Sequence, residues 1–228
     1  MTAPFYVPPE QLVKDRAEFA RKGVERGRPI AVMALDVGVL LVGENPSPSL
    51  RKIGEIYDRL AFAGVGRFNE FETLRVAGIR YADLKGYSYA RADVTGKGLA
   101  NAYSQTLGQI FTHEVKPYEV DIVVAEVGRT VGSDSLFRIR FDGTLRDSGP
   151  VAVMGAGEVQ IAEIITAAYE SDLSLNAALT LATEAISTVM ERTIEPAEWE
   201  VGFLKRAETR RTFTRMTSDE VADALEST

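Results

Sequence analysis

The chain has 228 residues, 45% of them apolar and 26% charged, which suits one large domain with short appendages and excludes disorder over most of its length. Lys plus Arg number 26 against 33 Asp plus Glu, a formal charge of -7 with a pI near 5.0, so a broad phosphate-binding face would oppose the net field and nucleic acid is not expected as a partner. With no cysteine and a single histidine, His113, disulfides, thiol nucleophiles, iron-sulfur clusters and a Cys/His zinc site are excluded, and neither metal nor cofactor is expected. The N-terminal segment lacks a basic stretch followed by an apolar run, and no run of about 18 apolar residues occurs. The expectation is a soluble, reduced, cytosolic protein with no membrane partner.

Residues 1–8 hold prolines and little charge and read as a flexible arm, followed by a single domain over 9–228. Leu12, Val13, Ala17, Phe19, Ala20 and Val24 recur at three or four residues between charged positions, which predicts an amphipathic helix from Pro9 to Arg26. Gly23, Gly27 and Pro29 are expected to stop it. Ile30–Leu35 and Val39–Val42 predict a hairpin around Asp36-Val37-Gly38, apolar enough to be covered on both faces. Lys52–Ile56 and Leu60–Ala63 predict a second hairpin. Helical spacing returns over Arg67–Lys85 and Leu99–Phe111, and strands over Val120–Val127, Leu136–Phe141 and Val151–Met154. Val159–Tyr169 and Leu175–Met190 predict two more helices, and Trp199–Lys205 and Arg211–Met216 two closing strands. A capping box, Thr217-Ser218-Asp219-Glu220, opens a last helix. Helices that arrive in pairs after runs of strands imply layered α+β packing, two sheets between two helix layers.

The chemical motifs are sparse. A Ser-His-Asp triad needs a histidine base, and His113 at the end of a predicted helix reads as a surface cation suited to that terminus. Gly155-Ala156-Gly157-Glu158-Val159-Gln160 follows a strand and opens a helix, like the start of a dinucleotide fingerprint. Gln160 replaces the third glycine and Glu158 would repel a pyrophosphate, so a structural turn is the better reading and a nucleotide-binding enzyme the weaker one. Lys52, taken alone, reads as a solvated strand lysine.

Several segments, in their joint order, resemble one family: Glu18-Phe19-Ala20-Arg21-Lys22-Gly23, Gly38-Val39-Leu40-Leu41-Val42-Gly43-Glu44, Leu50-Arg51-Lys52-Ile53 and Lys116-Pro117-Tyr118 look like the α subunits of the 20S proteasome. Glu44-Asn45-Pro46-Ser47, Gly66-Arg67-Phe68-Asn69-Glu70-Phe71 and Asp93-Val94-Thr95-Gly96 resemble the actinobacterial members most. The resemblance implies the four-layer αββα sandwich of N-terminal nucleophile hydrolases and a non-catalytic role. That role is a homo-heptameric α ring that docks on proteasome β subunits, binds an AAA ATPase ring or other activator through its C-terminal carboxylate tails, and gates unfolded substrates in transit. The arm residues Thr2, Ala3, Pro4, Phe5, Tyr6, Val7 and Pro8 match the gate, without the Tyr-Asp-Arg motif of archaeal and eukaryotic relatives. In the catalytic β pattern the nucleophilic threonine falls at Arg28 and its supporting aspartate at Glu44, which argues against the rival reading of an active N-terminal nucleophile hydrolase. Lys52 matches the lysine that receives an activator's terminal carboxylate, Gly66 the glycine lining the same inter-subunit pocket, and Glu18 and Arg21 helix residues at its rim.

Overall fold

Two strands without polar interruption organise the molecule. The computed structural model describes residues 8–207 and 211–227. In it, β1 (Ile30–Leu35) and β2 (Gly38–Glu44) pair antiparallel from Ile30↔Gly43 to Leu35↔Gly38. Successive side chains of a strand point to opposite faces. Ala31, Met33, Leu40 and Val42 therefore face one helix layer, whereas Ile30, Val32, Val39 and Leu41 face the other sheet.

β8 (Val151–Met154), β9 (Trp199–Lys205) and β10 (Phe213–Arg215) complete the first sheet in the order β10-β9-β2-β1-β8. The second sheet runs β3 (Ile53–Tyr57), β4 (Leu60–Gly66), β5 (Val120–Glu126), β6 (Ser135–Ile139), β7 (Leu145–Asp147). Ala61, Ala63, Val65, Val123 and Ala125 fill the space between the sheets, and Leu60, Phe62, Ile122 and Val124 point outward to a second helix layer.

α2 (Phe68–Ser88) and α3 (Gly96–His113) cover that outer face through Phe71, Leu74, Leu99, Tyr103 and Leu107. α4 (Glu158–Ala168), α5 (Leu175–Val189) and α6 (Ser218–Glu226) cover the first sheet through Ile161, Ile165, Leu179, Ala182, Ile186 and Val221. This is the αββα sandwich expected from the element order. α1 (Pro9–Glu25) packs against the ends of β4 and β5, with Ala20 and Val24 entering the inter-sheet core.

Three expectations need correction. β7 was missed because it is a three-residue edge strand carrying Arg146 and Asp147, mostly exposed, with no apolar run to announce it. The second hairpin begins at Ile53, one residue after Lys52, and β10 is shorter than the expected Arg211–Met216. The capping box is present, with Thr217 accepting from the Glu220 main-chain N–H at 3.3 Å and Glu220 accepting from that of Thr217 at 2.7 Å.

The α2–α3 contact depends on a missing side chain. The Tyr103 hydroxyl donates to the Leu74 carbonyl at 2.9 Å, and a Cβ on Gly78 would lie 1.8 Å from that hydroxyl oxygen. Burial pushes the Tyr103 phenol above its ordinary pKa, so it stays a donor. Gly78→Ala would gain about 1 kcal/mol of helix propensity but forces the ring away from its acceptor. We expect a net loss of about 1–3 kcal/mol, as for other overpacked cores, read by urea denaturation. A gain in stability would show that Tyr103 moves freely.

Candidate functional site

At one end of the sandwich the chain leaves α1 and enters β1 through Gly27, Arg28 and Pro29. The Gly27 carbonyl accepts the Ala156 N–H at 2.8 Å, which ties this crossing to the β8–α4 turn. Gly155 and Gly157 adopt φ of +99° and +66° there, and a Cβ on Gly155 would sit 2.8 Å from the Gly27 oxygen. The Gly155–Gln160 segment is thus a strand-to-helix turn held by close backbone approach. Glu158 is ion-paired with Arg138 at 2.6 Å.

The Arg28 guanidinium donates to Oε1 of Glu44, a residue only 2% exposed, and Arg192 donates to the same oxygen at 2.8 Å. Arg192 also holds both Glu198 oxygens at 2.7 Å. Beside this network, half-buried Lys52 directs Nζ at two main-chain carbonyls, Arg28 O at 3.2 Å and Glu44 O at 3.0 Å. Its main-chain N–H donates to the buried Glu200 carboxylate at 2.9 Å, and that of Ile53 does so at 3.2 Å. Asn45 adds a bond to Glu200 at 2.6 Å, and Arg215 a charged one. Lys52 is therefore not the solvated strand lysine that its sequence position alone suggests. Burial, first, and the Arg28 charge lower its pKa to about 8, while Glu200 pulls it back up. The folded chain thus releases this proton before the unfolded chain does. The cost of holding the charge is full below about pH 8 and is relieved as pH rises toward the ordinary 10.5.

Covalent hydrolysis requires a nucleophile beside a base. Arg28 is neither, its guanidinium is spent on Glu44, and its main-chain nitrogen is a peptide amide following Gly27. Gly66 lies at the same end as Lys52: the Gly64 N–H donates to the Lys52 carbonyl at 3.0 Å. Gly66 has φ +112°, and a Cβ there would meet the Glu119 carbonyl at 1.8 Å, so only glycine fits.

Glu18 and Arg21 stand apart within one chain. Glu18 pairs with Lys22 at 2.7 Å, which holds its carboxyl below the usual range. Exposed Arg21 lines a cavity of about 240 Å³ with Asp121, Arg138 and Arg140. No hydrogen bond or ion pair joins either to Lys52 among the described residues. Pro8 is extended and precedes α1; the other gate positions, Thr2 to Val7, lie outside the described residues. His113 is exposed in the last turn of α3 with its ring Nδ1 3.1 Å from the Gln109 carbonyl.

Sequence reasoning missed Glu200, Arg192, Asn45 and the Asp121–Arg138 pair at 2.5 Å. Glu200 lies 148 residues from Lys52, beyond any local spacing rule. A signal did exist: a carboxylate inside an apolar strand, as at Glu200 in β9 and Asp121 in β5, implies a buried partner.

A family model described as proteasome subunit matches residues 24–204, a span that includes Arg28, Glu44, Lys52 and Glu200. The chain belongs to the proteasome subunit family. It is 52% identical over 226 residues to the proteasome subunit alpha of Xylanimonas cellulosilytica, covering 95% of this chain and 93% of that one. It is 50% identical over 236 residues to the proteasome subunit alpha of Kineococcus radiotolerans, with 100% of both chains covered. A third similar protein, the proteasome subunit alpha of Arthrobacter sp. (strain FB24), is 50% identical over 231 residues. As a proteasome subunit the chain is of the non-catalytic α type, and the Arg28–Glu44 ion pair agrees with that. Among the described residues no helix is long and apolar enough to cross a membrane.

Arg28→Thr should leave the purified subunit without peptidase activity, because the new hydroxyl would lie next to an amide-bonded nitrogen and not a free amine. Turnover of a fluorogenic tripeptide by that variant, absent from the parent, would overturn this account of the cleft.

Proposed function

We propose that this chain forms the heptameric outer ring of a cytoplasmic proteasome core, docks on the ring of β subunits that carry the proteolytic sites, and controls passage of unfolded substrates. The observation that carries this reading is the Arg28–Glu44 pair: the position that the resemblance matches to the catalytic threonine holds an arginine bonded to a buried carboxylate, which supports a chain that supplies architecture instead of chemistry. Full-length similarity to proteins named proteasome subunit alpha supports it. Co-expression with a β subunit followed by electron microscopy tests it; a β ring that assembles without this chain, or a chain that stays monomeric beside β, would count against it.

Activator docking at Lys52 follows from donor counting. An ammonium has three N–H groups, and two are used on Arg28 O and Glu44 O. The third suits a partner's terminal carboxylate, with Gly66 lining the pocket from the same end of the sheet and Glu18 and Arg21 brought to the rim by a neighbouring subunit. Lys52→Ala should preserve rings but weaken activator binding by about 1.5–3 kcal/mol per tail, the range for a charge-assisted bond, with multivalency compounding the loss. Because docking needs the ammonium, affinity should fall as pH rises past about 8. Unchanged binding by intact Lys52→Ala rings would exclude the role.

The gate reading places Thr2, Ala3, Pro4, Phe5, Tyr6, Val7 and Pro8 of each copy near the ring axis, with Pro8 and Pro9 fixing the direction in which the arm leaves α1. Identical arms on one rotation axis cannot all fill a single central space. Deleting Thr2 to Pro8 should speed degradation of long unstructured peptides more than of tripeptides. Equal rates for truncated and full-length particles would make the arm a bystander.

A further inference from the structure

Between α1, the β5–β6 pair and the β8–α4 turn lies the cavity of about 240 Å³ that Arg21 shares with Asp121, Arg138 and Arg140. Asp121 is wholly buried and uses only one of its carboxylate oxygens. That oxygen, Oδ2, accepts from Arg138 Nε at 3.2 Å and from Arg138 Nη2 at 2.5 Å. Its other oxygen, Oδ1, is buried without a hydrogen-bond partner, and so is the Nε–H of Arg140, which stands 3.9 Å from Oδ2. An unmet acceptor and an unmet donor thus belong to neighbouring side chains on one cavity wall, where each alone would be costly.

The charges around this pair favour a neutral occupant. A cation drawn to Asp121 Oδ1 would meet the guanidiniums of Arg138 and Arg140, and an anion drawn to Arg140 Nε would meet the carboxylates of Asp121 and Glu158. Arg138 already serves both carboxylates, with Glu158 at 2.6 Å, and spends Nη1 on the Val153 carbonyl at 3.1 Å. At the rim, Arg21 and Glu25 add one charge of each sign. The Gly155–Gln160 turn, whose spacing is like the start of a dinucleotide fingerprint, therefore walls a space balanced in charge and below the roughly 300 Å³ at which small-molecule pockets begin.

We infer that Asp121 and Arg140 form a binding site for a structural water molecule, which donates one O–H to Asp121 Oδ1 and accepts the Nε–H of Arg140. One small group has to perform both tasks. At 3.9 Å from the carboxylate, Arg140 Nε is too far for a direct hydrogen bond and near enough for a single oxygen atom to bridge. Water has both a donor and an acceptor and no net charge, and buried waters characteristically bond about three otherwise unmet polar groups. The cavity is several times the volume of one water, roughly 30 Å³ in the liquid, so the remaining O–H can reach further solvent toward the rim. With the water in place, a continuous set of polar bonds runs from Glu158 at the start of α4 through Arg138 and Asp121 in the second sheet to Arg140.

The test is a crystal structure of the full-length chain at a resolution that shows ordered solvent, from crystals grown and frozen without polyols. One water should lie within about 3.2 Å of both Asp121 Oδ1 and Arg140 Nε in every copy. Arg140→Met keeps the length of the side chain and leaves the Asp121–Arg138 pair intact while removing the donor, and the water should be lost from that position. In solution, the Arg140 Nε–H of the unmodified chain should show cross-relaxation to water with the sign of a long-lived contact. A direct Asp121–Arg140 hydrogen bond, an ion or a side chain of another copy in the water's place, or a water that keeps its position in Arg140→Met, overturns the inference.

Discussion

The Glu200 carboxylate, on a residue 2% exposed, accepts main-chain N–H groups from Lys52 and Ile53, the Asn45 side-chain amide and the Arg215 guanidinium. Glu200 belongs to β9 in the first sheet and Ile53 opens β3 at the edge of the second, so one buried anion bonds the two sheets to each other. Arg215 reinforces the join by also donating to the Ile53 carbonyl at 2.6 Å. A buried charge is tolerable only when it is this fully paired, and breaking such a set leaves an uncompensated ion. The position of Lys52 is a consequence. Its backbone is fixed by Glu200, which leaves the side chain long enough to reach Arg28 O and Glu44 O.

At this end of the sandwich the side chains are tied to one another by salt bridges. Arg28, Glu44, Arg192 and Glu198 form a continuous alternating chain of charge, and each member satisfies the next. An arginine is well suited to the task because its planar fork serves several acceptors and never loses its proton. Lys52 beside them donates to two main-chain carbonyls and, among the described residues, to no carboxylate.

The fold was legible from sequence because its cores are built from period-two strands and period-3.6 helices. β1 and β2 announce themselves by unbroken apolar runs, and the paired helices by their spacing. β7 was not legible, since an exposed three-residue edge strand has no core to pattern it. At the site, Arg28, Glu44, Lys52 and Gly66 were all named from the resemblance, and the geometry brings them to one end. What stayed hidden was the partner set, because Glu200 and Arg192 arrive from far along the chain through sheet pairing. The expectation of a solvated Lys52 failed for the same reason: exposure of a lysine beside a strand depends on which distant residues pack over it.

α1 links the silent cleft to the proposed gate. Ala20 and Val24 sink into the inter-sheet core. Arg16 donates to the Phe111 carbonyl at 2.5 Å, at the C-terminal end of α3 where the helix dipole favours a cation. Phe19 lies against Lys116, whose Nζ is 5.7 Å from the ring centroid. Held at these three places, the helix cannot swing off the end of the sandwich. Its C-terminal end therefore delivers Arg28 to β1 as an internal residue with no free amine, and its N-terminal end fixes the position of Pro8. The peptide-bonded nitrogen of Arg28 and the position of Pro8, from which the proposed gate arm would start, then follow from one structural commitment, a helix packed across the ends of β4 and β5.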